Sequence, residues 1–380
     1  MLAAQFYGRN DIRLDKVEEP PCSKGQIKMR PAYVGICGSD LHEFTTGPVL
    51  IPKTPHPITG SKYPVTMGHE FSGIVVEVGD DIQHISAGQR VVVRPTIFDK
   101  TCSSCTSGNR HCCDNIGFIG LSGKCVVVFL ITGEDKSLIW AIKGYGGGLA
   151  EYIVAPAEHF YPIPDNVSLQ SAALVEPLAV AWHAVNISPF KSGNNVLVVG
   201  GGPIGIGIVQ VLKVHGAKEI MVVEPMESRR RLSKDFGATH LLDSHNVDVP
   251  ETVLRLTDNI GVDVLFDTAG VEVALNGAIP ACRTHGTIVN VAVWEKRPAI
   301  RVNDLMYKEV NYMGAALYDN ASFEDVIKAI SYGQLNPDKM VTLKIMLSEV
   351  VGKGFQSLVK NRDEHCKILV DMQVSRDAGR

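Results

Sequence analysis

The sequence predicts an α/β protein of two domains, one rich in β-strands and one a doubly wound parallel sheet. Three observations carry that prediction. At 380 residues the chain has material for two cores. Residues 1 to about 178 are rich in Gly, Pro and short β-branched runs, the texture of strands divided by turns in an all-β or partly open barrel. From about 179 onward strands alternate with helical stretches, which implies a parallel sheet covered by helices.

Taken in order, the first region offers strands at 26-QIKMRPAYVGI-36, 72-SGIVVEVG-79 and 89-QRVVVRP-95. The second opens with strand 196-VLVV-199, helix 203-PIGIGIVQVLKVHG-216, strand 219-EIMVVE-224 and helix 227-ESRRRLSKDFG-237. Strands 263-DVLFD-267 and 286-GTIVNVAV-293 follow. An amphipathic helix is expected at 322-SFEDVIKAISYG-333, and 373-QVSRDAGR-380 reads as a frayed tail.

Composition narrows the function classes. Hydrophobic residues make up 45% and charged ones 21%, ordinary values for a soluble enzyme. The net charge of -4 gives no reason to invoke nucleic acid or an anionic membrane. No charged start precedes an apolar core, and no apolar run reaches the roughly 18 residues of a membrane span. Nine cysteines, several closely spaced, read as metal ligands in a reducing compartment rather than a disulfide framework, so the cytoplasm is expected.

Two motifs bear chemistry. Cys37 opens C-G-S-D-L-H, and His69 and Glu70 lie in G-H-E-F-S-G. A thiolate, an imidazole and a carboxylate suit Zn²⁺, and three protein ligands leave a fourth position open. The rival reading is a buried thiol and a satisfied core histidine; the adjacent Glu70 and the flanking Gly68 and Gly73 favour metal. Glu176 in 175-VEPLAV-180 stands at the change of texture, as a fourth ligand, a holder of the metal's water, or an exposed interdomain carboxylate.

The second motif is Gly200, Gly202 and Gly205 after an apolar strand, with Pro203 and Ile204 opening the helix. The first glycine permits the turn, the second lets backbone approach a pyrophosphate, and the third allows helix to pack on strand. The helix N-terminus then faces the phosphates. Glu224, 22 residues after Gly202, suits ribose hydroxyls and repels a 2′-phosphate, favouring NAD over NADP. Arg229, Arg230 and Arg231 complicate this, since nearby arginines hold a 2′-phosphate in other proteins; their bland reading is a charged helix face.

On these stretches, with 66-TMGHEFSGIVVEVG-79, 146-GGGLAEYIV-154 and 174-LVEPLAVAWHAV-185, the chain resembles the zinc-dependent medium-chain dehydrogenases. Within them it is similar to the 2,3-butanediol and polyol (sorbitol or xylitol) dehydrogenases, over nearly its whole length. The resemblance implies a GroES-like catalytic domain from 1–178 and 318–380 and a Rossmann domain from 179–317. It implies catalytic zinc on Cys37, His69 and Glu70 with Glu176 beside it, and a proton relay through Ser39 and His42. Arg229 would line the adenosine pocket, and the backbone of Val291 and Val293 would flank the nicotinamide. Asp40, between the relay residues, orients backbone in this reading. The implied substrate is a small secondary alcohol or diol, and the implied assembly a homodimer or homotetramer pairing near 312-YMGAAL-317.

Two stretches depart from the family. Many relatives carry a structural zinc on four cysteines; here Cys102, Cys105 and Cys113 match the last three and Asp99 replaces the first, with Cys112 as an extra neighbour. Such a lobe is either zinc-bound or metal-free with oxidisable thiols. The segment 124-KCVVVFLITGEDKSLIWAIKG-144 has no counterpart. It reads as a hairpin, CVVVFLI and KSLIWAI about a TGED turn, or as a retained intron, since Gly123-Lys124-Cys125 is encodable as GGT-AAG-TGT with a donor-like GTAAGT.

Overall fold

The computed structural model describes residues 1–122, 126–132, 137–143, 146–361 and 363–373. The chain forms two compact units, Met1–Glu176 with Asn336–Arg380, and Pro177–Leu335.

The first unit is built around strand Gln26–Gly35, whose buried Ile27, Met29 and Val34 enter its main core. That strand pairs antiparallel with Glu70–Val78, Ile153–Pro156 and Lys367–Asp371, at the centre of a seven-stranded sheet. Phe6, Phe71, Phe160 and Phe355 fill the same core. The register sets the site: Gly35 lies opposite Glu70 on one side and opposite Leu369 on the other. Three remote segments therefore end together beside Cys37.

The expected hairpin in 124–144 has paired strands at Val126–Thr132 and Ser137–Lys143, with Trp140 opposite Phe129. Its turn at 133–136 lies outside the described residues, as does the tail from 374. Among the described residues the two strands form a sheet of their own.

The second unit is a six-stranded parallel sheet in the order His240–Leu242, Glu219–Val223, Asn195–Val199, Val262–Asp267, Cys282–Asn290, Asn311–Gly314. The chain reverses direction of winding between Asn195–Val199 and Val262–Asp267, the crevice where such sheets bind ligands. Two expectations shift here. The strand expected over 286–293 ends at Asn290, because the amides of Val291 and Ala292 turn to the Asp267 carbonyl at 2.9 and 3.1 Å. Helix Asn320–Ser331 belongs to this second unit rather than to a catalytic domain resuming at 318. Asp319 caps it by accepting the Ser322 amide at 2.8 Å, and Ser322 Oγ lies 3.4 Å from His183 Nδ1 on helix Val175–Ile187.

Candidate functional site

Cys37 occupies the N-cap of helix Gly38–Thr46 in extended conformation, so its thiol stands at the N-terminal end of the helix. Asp40, fully buried one turn in, accepts the Cys37 amide at 3.0 Å and so fixes the cap. Its other oxygen lies 3.2 Å from Nδ1 of buried His69. Asp40 thus orients backbone, as the sequence suggests, and also turns the imidazole so that Nε2 faces the other way, 3.2 Å from Ser39 Oγ. Gly68, at φ +97°, supplies the left-handed turn that presents His69. Burial pushes the His69 pKa down, but the Asp40 and Cys37 charges outweigh it and hold the group well above its ordinary value.

Glu70 completes the cluster: one donor atom from each of Cys37, His69 and Glu70 lies within 4.8 Å of the others. The Glu70 carboxylate is fully buried against Gly35, where any Cβ would sit 2.2 Å from Oε2. Lys367, itself 2% exposed, donates to both Glu70 oxygens at 2.7 and 2.8 Å. Sequence reading misses Lys367 because 297 residues separate the partners and no local pattern links them. The donor set suits a borderline cation: one soft thiolate, one imidazole and one carboxylate.

Ser39 and His42 stand three apart on helix Gly38–Thr46, hence on one face, and His42 Nδ1 lies 3.3 Å from Thr46 Oγ1. Glu176 is buried in the first turn of helix Val175–Ile187 and is not among the three clustered donors.

The lobe brings Asp99, Cys102, Cys105 and Cys113 within 4.8 Å of one another. Cys112, an exposed thiol, stands outside the group, so the lobe does not draw on the extra neighbour. Asp99 accepts the amides of Thr101 and Cys102 at 2.8 and 2.9 Å and the Asn115 side chain at 2.9 Å. The Cys102 and Thr101 amides, then Asn115, hold its carboxyl well below the usual carboxylate range. Asn115 carries no metal-ligand signature and is legible only once the loop is folded. Amides of Asp114 and Cys105 lower the Cys102 pKa, while burial pushes Cys105 up to about 12.

In the second unit Gly200 takes φ +103°, and a Cβ there would meet Thr268 Oγ1 at 2.8 Å. Gly205 is tighter, with a Cβ placed 1.9 Å from the Gly200 carbonyl oxygen, whereas a Cβ on Gly202 would enter open space. Gly202 caps helix Pro203–Val214, so its open side and the free amides beyond it form a cradle for an anion. Glu224, 4% exposed, accepts the Gly201 amide at 2.8 Å and the Met226 amide at 2.9 Å, placing the carboxylate against the loop. Arg230 is engaged by Asp243 at 3.0 Å and by the Glu224 and Pro225 carbonyls, and Arg231 pairs with Glu227. Of the three arginines considered for a 2′-phosphate, two are thus committed to partners within the unit. Asp267, fully buried, accepts the Ala269 and Gly270 amides at 3.0 and 3.2 Å while its carbonyl takes those of Val291 and Ala292. It ties together two loops at the carboxyl ends of the sheet, a role the sequence does not announce.

Family models match most of the chain: an alcohol dehydrogenase GroES-like domain over residues 23–165 and a zinc-binding dehydrogenase over 203–332. The chain is 37% identical to the (R,R)-butanediol dehydrogenase of Neisseria gonorrhoeae, covering 98% of this chain and 99% of that one. The crystal structure of 2R,3R-butanediol dehydrogenase from Bacillus subtilis superimposes with a TM-score of 0.87 at 37% identity, over 98% of this chain and 99% of that one. A sorbitol dehydrogenase of Halalkalibacterium halodurans is 30% identical over 90% of this chain and 91% of its own.

Proposed function

Because the chain belongs to the zinc-dependent medium-chain alcohol dehydrogenases, we propose that it oxidises a vicinal diol such as 2,3-butanediol with NAD, and runs the reverse reduction. The observation that carries the reading is the convergence of Cys37, His69 and Glu70 from separate segments onto one cation-sized cluster. When bound there, zinc supplies Lewis acidity to the substrate hydroxyl, and NAD supplies the hydride acceptor. Cys37, His69 and Glu70 hold the metal, and Asp40 keeps the imidazole in its ligating tautomer. Ser39 takes the hydroxyl proton and His42 hands it to solvent. Glu176, buried in the first turn of helix Val175–Ile187, would serve as a fourth ligand or hold the metal's water.

On the cofactor side, the amides after Gly202, with Pro203, Ile204 and the close-packed Gly205, receive the pyrophosphate. Glu224 receives the ribose, Arg229 the adenosine, and the backbone at Val291 and Val293 the nicotinamide. We assign a second zinc to Asp99, Cys102, Cys105 and Cys113, supported by four donors within 4.8 Å. The exposed edge strand Asn311–Gly314, with Tyr312 40% exposed, supports a homodimer. The free thiols of both clusters fit a reducing cytoplasm.

NADH formation on the stereoisomers of 2,3-butanediol, sorbitol and xylitol tests the reading. A 2,3-butanediol isomer is expected to exceed sorbitol by at least about tenfold in kcat/KM, a difference of about 1.4 kcal/mol in transition-state binding. The sorbitol dehydrogenase relative makes polyol oxidation the second reading, and the inverse ratio selects it. No NADH with any alcohol rejects both.

Glu224→Ala separates ribose recognition from loop support. It is expected to raise KM for NAD by about tenfold and to lower the NAD-over-NADP preference by about as much, since a buried anion beside the 2′ position is gone. A merely structural loss weakens both cofactors equally, which steady-state kinetics with each would reveal.

A further inference from the structure

Lys367 is the one feature of the metal site that the mechanism above leaves without a task. It sits on strand Lys367–Asp371, 2% exposed, and its ammonium reaches two parts of the ligand set. It donates to both Glu70 oxygens at 2.7 and 2.8 Å, and it lies 3.4 Å from the carbonyl of Ile36, the residue before Cys37. The placement is built by the sheet, since the Ile36 amide donates to the Ile368 carbonyl at 3.1 Å in the same ladder. Gly35 leaves room for the Glu70 carboxylate on the opposite side, and a methyl group there would collide with it.

The charges give this arrangement a consequence. Cys37 as thiolate and Glu70 as carboxylate cancel a divalent cation, with His69 neutral. A buried ammonium touching Glu70 adds one positive charge to the loaded site, set against the buried carboxylates of Asp40 and Glu176. Both Glu70 oxygens already accept a hydrogen bond from a cation, so each has less electron density to offer a metal. A surface ion pair would be screened; this pair lies where the dielectric is low and the charge is felt.

We propose that Lys367 is a positioning residue for the metal reaction: it pins Glu70, makes that carboxylate a weakened ligand, and adds a buried positive charge that eases ionisation of the substrate alcohol. The proposal rests on the reading that Cys37, His69 and Glu70 hold zinc.

The test uses the full-length enzyme with zinc affinity measured by chelator competition and with the pH profile of kcat for diol oxidation, which reports ionisation in the substrate complex. In Lys367→Met, zinc is expected to bind more tightly, on the order of tenfold, because a repelling cation is gone and Glu70 is a fuller donor. The acid limb of the profile is expected to move up by about one pH unit, because the substrate anion has lost a stabilising charge. Lys367→Arg keeps the charge and should hold the acid limb where it is.

The double variant Glu70→Gln with Lys367→Met removes both buried charges, keeps the fold free of an uncompensated ion, and restores the net charge of the loaded site. Its acid limb should return close to that of the wild type. Looser zinc with an unmoved acid limb in Lys367→Met would show a packing role only and overturn the proposal. So would a zinc-replete double variant whose acid limb stays about one pH unit above that of the wild type; that comparison stands even where the single variant fails to fold. Wild-type protein whose zinc content does not depend on Cys37 would instead overturn the site assignment on which the proposal rests.

Discussion

Replacing His69 by alanine is expected to leave a chain that folds, carries one zinc instead of two, and has lost at least about 10³-fold in kcat/KM. The imidazole is the only neutral donor of the three, and its Nδ1 is held by Asp40 at 3.2 Å. Without the ring, Cys37 and Glu70 remain, and Glu70 is shared with Lys367 at 2.7 Å. Two anionic donors, one of them already engaged, make a poor site for a cation that normally takes four ligands. The loss also strands Asp40, fully buried, against a cavity; removal of a buried ring from beside a buried carboxylate costs about 2–4 kcal/mol. Metal analysis and initial rates check the first two outcomes, and denaturant unfolding the third. Activity within tenfold of wild type in a zinc-replete sample would remove His69 from the metal. Undiminished zinc with lost activity would give it another role in the reaction.

The parts of this site that were legible in the sequence share one property: their chemistry lies within a few residues. Cys37 with Ser39 and His42, His69 with Glu70, and the glycines after an apolar strand each carry their own signature. The strand register that places Gly35 opposite Glu70 then joins two such stretches. Lys367 was not legible, because a lone lysine near the end of the chain announces nothing until the sheet lays it against Ile36 and Glu70. Asp40 was half legible. Its spacing from Cys37 suggests a helix cap, while its contact with the imidazole depends on a residue 29 positions on, a pairing only the fold makes. Asp267 and Asn115 organise loops through backbone amides, and neither residue type marks that role by itself.

The fold shows the same division. The alternation of strands and helices after residue 179 fixes a parallel sheet, because each element carries its own period. Boundaries depend on partners instead. The apolar run Val291–Val293 continues the pattern of a strand, yet the Asp267 carbonyl takes two of its amides and the strand stops at Asn290. Helix Asn320–Ser331 has an apolar face with Phe323 and Val326, but an apolar face does not say which core it covers. His183 and the stacking of Tyr318 on Phe323, with ring centroids 5.6 Å apart, tie it to the second unit.

Gly205→Ala should be the most damaging single methyl group in the nucleotide unit, and Gly202→Ala, three residues earlier, the most selective. At Gly205 the added Cβ falls 1.9 Å from the Gly200 carbonyl oxygen and 3.0 Å from Thr268 Oγ1. No side chain can swing aside from the nearer contact, because backbone meets backbone. Helix Pro203–Val214 must lift from strand Asn195–Val199, or Gly200 must leave its φ of +103° and give up the bond its oxygen accepts from Thr268 Oγ1 at 3.1 Å. Overpacking of this kind costs about 3 kcal/mol, and it displaces the amides that face the phosphates. NADH binding, followed by fluorescence titration, is therefore expected to weaken on the order of 10²-fold together with a lower unfolding midpoint. At Gly202 the same methyl meets no protein atom within 4 Å, so stability should stay within about 0.5 kcal/mol of wild type. Affinity for NADH should still fall, since the methyl enters the space a pyrophosphate must occupy. Zinc content should be unchanged in both. A Gly202→Ala protein that binds NADH normally would mean that the phosphates lie elsewhere. A Gly205→Ala protein of wild-type stability would mean that helix and strand are not in the close contact described.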